Sequence, residues 1–205
     1  MTRLVIKYHR EYRDLPIEDI KHEFVKNSFL FNWYMFKPGL TSAESVKRMN
    51  HFLNEKVRYY FEMRSRGDEG WNALKELTTH PDESARLSAA MFYRYKDYDY
   101  ALAIIEKMGK TPNFWAPRTV RREVAYQARR YFRDLKRQEA GLMTPYPDIY
   151  QSWLKDLEVE KQGKSPKVKY QEAVVPYKGE YASLSLEQLR KKFIQEAERI
   201  PAAKV

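Results

Sequence analysis

Between Trp71 and Met108 the apolar periodicity breaks into three short helical segments, Trp71 to Thr78, Asp82 to Tyr95 and Asp99 to Met108. A proline turn at His80-Pro81 separates the first two, and a short break precedes the third. Isolated helices of this length are marginal in water, and none can bury its own apolar stripe. Stacking in pairs supplies the missing cover, so this stretch predicts an all-α chain whose centre is an array of helix pairs.

Longer helical patterns flank it. Pro16, followed by Glu18 and Asp19 in a first turn, opens a helix over 17–36 that carries Ile20, Phe24, Phe29, Phe31 and Tyr34. Asn27-Ser28 is a candidate interruption. Thr41-Ser42-Ala43-Glu44 has the form of a capping box. Behind it Val46, Met49, Leu53, Val57, Tyr60 and Phe61 recur at helical spacing to about Arg64. The triplet Arg66-Gly67-Asp68 then reads as a turn rather than an adhesion motif.

Pro117 stands at a first helical position, and the pattern behind it runs to about Glu139, where Gly141 stops it. At about 100° per residue, Val120, Val124, Ala128, Tyr131, Phe132 and Leu135 gather on one face. Arg118, Arg122, Arg129, Arg133 and Lys136 gather on the other, with Tyr126, Arg130 and Arg137 beside them. Pro145 and Pro147 open a weaker helix with Ile149, Trp153, Leu154 and Leu157, and residues 162–183 show little helical period, as a linker or extended arm would. Ser185-Leu186-Glu187-Gln188 caps a last helix carrying Leu189, Phe193, Ala197 and Ile200. The division expected is a helical domain over 1–141, a weak helix and arm over 142–183, and a C-terminal amphipathic helix over 184–205.

Composition narrows the function classes. The chain has no cysteine, which removes disulfide frameworks and thiolate metal clusters. The apolar run near the N-terminus is too short for a signal-peptide core, and the longest apolar stretch, around Phe29 to Phe36, is far shorter than a membrane span and is broken by Asn32. A cytoplasmic protein without a membrane span is the expectation. The net charge of +10 favours an anionic partner, although a basic surface also serves solubility alone.

An internal repeat sharpens the fold class. Aligning Ala85-Arg86 with Val120-Arg121 gives an offset of 120 − 85 = 35, which places Ala89-Ala90 on Val124-Ala125. The first unit spells out Leu74, Leu77, His80-Pro81-Asp82, Arg86 and Ala89-Ala90. This string resembles a HEAT repeat, and more closely the short HEAT-like units of small bacterial proteins. The resemblance covers residues 15 to 108, weakens over 109–140 where the leucines and capping aspartate are missing, and stops there. It implies an α-α superhelix of HEAT-like pairs, to which the periodicity beyond it adds an extended arm and a terminal helix. It also implies roles: Asp82 caps the second helix, Arg86 braces the turn, and Ala89 and Ala90 let helices approach. A second similarity, 15–25 with 184–194 at offset 184 − 15 = 169, matches every apolar position, as any capped amphipathic helix can.

No catalytic constellation emerges. Gly109-Lys110-Thr111 lacks the first glycine of a phosphate loop and follows a helix. His9, His22, His51 and His80 form no HExxH pattern, and the pair His51 and Glu55 alone is too small a ligand set, so no metal and no cofactor are expected. Asp82, Glu83, Asp97 and Asp99 stand at helix starts, where capping accounts for them.

The remaining candidates are binding residues: Trp115, Arg118, Arg122, Tyr126, Arg129, Arg133 and Lys136. The HEAT-like resemblance makes a protein-binding α-solenoid the leading expectation, most concretely a bacterial immunity protein that neutralises an acidic toxin domain by covering it. The basic helix 118–137 keeps a nucleic-acid-binding reading open. Trp115 beside Arg118 and Arg122 is the sole local hint of a glycosylase-like repair enzyme.

Overall fold

The computed structural model describes residues 8–36, 43–110, 118–163 and 183–198. Among them the chain is all-α, with eight helices and no strand: α1 Ile17–Phe36, α2 Ala43–Ser65, α3 Asp68–Leu77, α4 Glu83–Tyr93, α5 Tyr98–Lys110, α6 Arg118–Glu139, α7 Ile149–Lys161 and α8 Leu186–Glu198. The Thr41-Ser42 part of the expected capping box, Pro117, Trp115 and the arm over 164–182 lie outside the described residues.

Neighbours in sequence pair in space. α1 packs on α2, α3 on α4, and α5 on α6, while α2·α3 and α4·α5 contacts link the pairs into a superhelix. α1 also meets α3, α4 and α6, so the stack winds tightly around it rather than running out as a straight row. The sequence explains this position. Ile20, Phe24, Val25, Leu30, Trp33 and Tyr34 point in several directions around α1 and are all buried, and a helix apolar on most sides must be covered on most sides. Asn27 does not interrupt the helix: its amide donates to the Glu23 carbonyl at 2.8 Å, which satisfies it inside the turn.

Two apolar clusters result. One joins Ile20 and Phe24 to Tyr60, Leu74, Ala85 and Trp153; the other joins Leu30 and Trp33 to Leu87, Ile105, Leu135 and Leu189. α4 stands between them with Ala85, Ala89 and Ala90 fully buried, small residues that permit close helix approach. Its N-terminus is capped by Asp82, whose Oδ1 accepts the Ala85 N–H at 2.9 Å. Arg86 Nε donates to the His80 carbonyl at 2.9 Å across the proline turn.

α3 begins at Asp68, earlier than the periodicity suggests, because Gly67 takes φ +65° and reverses the chain at once. Its carbonyl then accepts the Trp71 N–H at 3.0 Å. Asp68 and Glu69 fall in the first turn, where the helix dipole favours them.

The N-terminal segment and the late helices are fastened by buried carboxylates. Glu62 on α2, fully buried, accepts from the Tyr8 hydroxyl, from Arg10 at 3.0 Å and from Arg66 Nε at 3.1 Å. Arg66 also donates to the carbonyls of Tyr12, Arg13 and Leu15, so one side chain holds the turn that leads into α1. Asp148 caps α7 through the Tyr150 N–H at 3.0 Å while its other oxygen pairs with Arg64 of α2 at 3.2 Å. Trp153 of α7 stacks on Phe61, with ring centroids 5.2 Å apart. α8 carries a reciprocal capping box, Ser185 N–H to Gln188 and Gln188 N–H to the Ser185 hydroxyl, and its Arg190 reaches Asp82 at 2.9 Å.

The tightest helix contact makes a sharp prediction. A Cβ at Gly70 in α3 would sit 1.7 Å from the Met63 carbonyl oxygen of α2, which is backbone and cannot step aside. Gly70→Ala is expected to destabilise by about 3 kcal/mol or more, beyond the roughly 1–3 kcal/mol of overpacking at Ala89→Leu. Arg86→Ala, which deletes a turn bond, should cost only about 1 kcal/mol. Chemical denaturation of the three variants checks the order, and a Gly70→Ala protein as stable as wild type would refute the α2·α3 contact.

Candidate binding site

α6 decides what the surface can recognise. Val124, Ala128, Tyr131 and Leu135 take its inner face into the second cluster, which leaves its cations outside. The expected stripe divides. Arg129 donates to the Gly109 carbonyl at 2.9 Å, closing the C-terminal end of α5, so it has a structural partner. Lys136 pairs with Glu139 at 2.8 Å. Arg133 is exposed without an ion pair among the described residues, and Tyr126 beside it is 50% exposed. The side chains of Arg118 and Arg122 and all of Trp115 lie outside the described residues.

Arg130 and Arg137 are likewise exposed and without a carboxylate partner among the described residues. Of the three acids of the same helix, Glu123 forms no ion pair with them among the described residues, and the other two are engaged elsewhere. Asp134 accepts the Tyr146 hydroxyl at 2.9 Å, and Glu139 accepts from both Lys136 and the Tyr98 hydroxyl. Those bonds hold the Glu139 carboxyl below its ordinary range, the Lys136 contribution being the largest.

Against the flank of α6 lies a cleft of about 370 Å³, walled by the end of α4, by α6 and by residues 146–149. Met91, Phe92 and Ile149 contribute apolar surface, and Tyr95, Tyr131 and Tyr146 contribute rings. Tyr131 and Tyr146 stack with centroids 5.4 Å apart. Arg94 also lines the cleft, and its guanidinium lies 4.2 Å from the Tyr95 ring centroid, 5.3 Å from Tyr131 and 5.8 Å from Tyr146. It donates to the Met91 carbonyl at 2.7 Å and to the Tyr95 hydroxyl, and no carboxylate pairs with it. Burial lowers its pKa. Arg130 stands as a second, exposed cation among the lining residues.

Arg94, Tyr95 and Tyr146 are absent from the residues singled out by sequence. The motif Tyr93-Arg94-Tyr95 ends α4, and only the return of the chain through Pro145 and Pro147 brings Tyr146 to it. No local pattern could report that meeting.

Lys56 is a second unassigned residue. It follows Leu53 and precedes Tyr60 at helical spacing, so the sequence itself sets a lysine on the apolar face of α2. The structure buries it to 5% exposure, with Nζ 3.2 Å from the Ser88 hydroxyl and 4.3 Å from the Phe31 ring centroid. Burial alone pushes its pKa down to about 7.

No three metal-ligating side chains converge among the described residues, and Glu55, the partner considered for His51, is engaged by the Tyr12 hydroxyl and Arg58. No helix among the described residues is long and apolar enough to cross a membrane. No family model, curated protein or solved structure matches the chain.

Lys56 yields a pH prediction. An unfolded lysine titrates near pH ~10.4. Between about pH 7 and 10 the unfolded chain therefore binds a proton that the folded chain does not, so stability rises with pH through that window. Below about pH 7 both states are protonated and the stabilisation of the neutral amine is gone. The buried His51 and His80, whose pKa values burial lowers, titrate below this window, and the buried tyrosines, raised by burial, act above it. Lys56→Met is expected to raise the melting temperature at pH 7 and to flatten the rise between pH 7 and 9.5. Thermal unfolding across that range checks it; an unchanged slope in the variant would assign the dependence to another group.

Proposed function

We propose that the chain is a non-enzymatic binding protein that docks the outer face of α6 on an acidic surface of a protein partner. One observation carries this reading: Arg130, Arg133 and Arg137 are exposed without carboxylate partners beside the half-exposed Tyr126, while Asp134 and Glu139 are occupied by tyrosine and lysine donors. A cationic face with an aromatic at its N-terminal end suits steering by charge and anchoring by a ring. The most concrete form of the proposal, drawn from the HEAT-like resemblance, is a bacterial immunity protein that covers the active site of a cognate toxin.

The test replaces charge without touching the core. In Arg133→Glu/Arg137→Glu, association with an acidic partner captured by the wild-type chain should slow by about tenfold or more at low salt and converge with wild type at high salt. For the immunity form, co-expression of the wild-type chain with the toxin encoded beside it should restore growth, and the double variant should restore it less. Tight binding of the wild-type chain to a DNA or RNA duplex, lost with a steep salt slope and weakened by the same reversals, would replace this reading with nucleic-acid recognition.

A further inference from the structure

We propose that the cleft between the end of α4, α6 and residues 146–149 is a binding site for a small organic carboxylate with an apolar body. The inference needs no protein partner and shares only Arg130 with the reading of the α6 face.

The cleft is the right size. At about 370 Å³ it lies at the lower end of small-molecule sites, which are concave, mostly apolar and fitted with a few convergent polar groups. Met91, Phe92 and Ile149 supply the apolar part. A ligand that is only apolar would leave Arg94 uncompensated, and one that is only ionic would leave the apolar walls wet.

The charge requirement points one way. Arg94 keeps its proton under any ordinary condition, it is largely desolvated, and no carboxylate pairs with it among the described residues. Its two hydrogen bonds go to the Met91 carbonyl and the Tyr95 hydroxyl, both neutral acceptors, so its further N–H groups have no protein acceptor. Asp134, the acid among the lining residues, is held by the Tyr146 hydroxyl at 2.9 Å, and Asp148, whose charge acts on Arg94, pairs directly with Arg64 at 3.2 Å. A planar guanidinium pairs best with a planar oxyanion, so a carboxylate completes the site. Arg130 sits beside it as a second cation, accessible from solvent, that favours entry of an anion.

The buried hydroxyl of Tyr131 supports the same ligand class. The residue lines the cleft and its hydroxyl makes no hydrogen bond among the described residues, and a buried hydroxyl without a partner is uncommon enough to mark a place where an acceptor is missing.

The experiment titrates the full-length protein with 4-phenylbutyrate and, separately, with its uncharged amide, following aromatic and amide resonances by NMR. The expected result is saturable shifts at Tyr95, Tyr131 and Tyr146 with the acid, and binding weaker by about tenfold or more with the amide. Arg94→Gln, which keeps a donor for the Met91 carbonyl, should abolish the preference for the acid. Gln127→Trp fills the cleft without altering Arg94 and should block both ligands, so the site is tested even where the Arg94 variant folds poorly. Lys107→Gln, exposed on α5 and outside the cleft, should change neither. Equal affinity for acid and amide, shifts confined to other residues, or unaltered binding in Gln127→Trp overturns the proposal.

Discussion

Every helix pair in this chain depends on α1 being covered on most of its circumference. Ile20, Phe24, Leu30 and Trp33 are buried in different directions, and the neighbours that bury them are α2, α3, α4 and α6. Because α1 supplies a partner surface to α3 and α4, these two can be short without being unstable. The arrangement has a cost in polar groups. Asn27, Ser28 and Asn32 on α1, Lys56 on α2, and Ser84 and Ser88 on α4 are all buried. Small hydroxyl residues allow helices to approach as alanine does and leave acceptors in the interior, and Ser88 serves Lys56 in that way.

The ends of a stacked array must be closed, since a terminal pair has an apolar face with no successor. Here the closure comes from the last helices folding back. Trp153 of α7 enters the first cluster and Leu189 of α8 enters the second. Each is fixed by an aspartate that does two things at once. Asp148 caps its own helix and pairs with Arg64 on α2, whereas Asp82 caps α4 and receives Arg190 from α8. A capping aspartate is geometrically fixed by its backbone bonds, so its second oxygen is a preorganised target and the entropy cost of the ion pair falls mainly on the arginine. The small exposure of Asp148 and Arg64, 18% and 9%, also keeps water from screening that pair fully.

What could be read from the sequence follows the range of the interactions. Helix positions depend on neighbours a few residues apart, and the periodicity places all the helices, with the ends of α3 and α7 shifted by the Gly67 reversal and the Asp148 cap. The roles implied for Asp82 and Arg86 are also local, spanning a single turn. The candidate site is another matter. Arg129 looks like part of a free stripe on a helical wheel, yet it reaches back twenty residues to the Gly109 carbonyl, and nothing in its own helix signals that. Arg94 and Tyr146 meet only because α4, α6 and the proline segment converge, an event decided by tertiary packing. Lys56 was visible as a lysine on an apolar face, a local conflict whose meaning depends on what covers it.

Lys56 and Arg94 show why one desolvated cation is structural and the other leaves a site behind. Neither forms an ion pair with a carboxylate among the described residues, and burial lowers the pKa of both. A lysine can escape the cost of burial by losing its proton, and with a pKa near 7 Lys56 is in large part a neutral amine that a serine hydroxyl and a phenylalanine ring can accommodate. Its environment needs nothing more. An arginine has no such escape, because its guanidinium stays protonated wherever it is placed. Arg94 is therefore met by the electron-rich faces of Tyr95, Tyr131 and Tyr146, which offset part of its charge and supply no anion. The protein tolerates Lys56 by neutralising it and Arg94 by surrounding it, and only the second solution leaves an electrostatic demand that an incoming group can satisfy. That asymmetry places the ligand-binding potential of the fold at the α4·α6 cleft and assigns the α1·α2·α4 junction to stability.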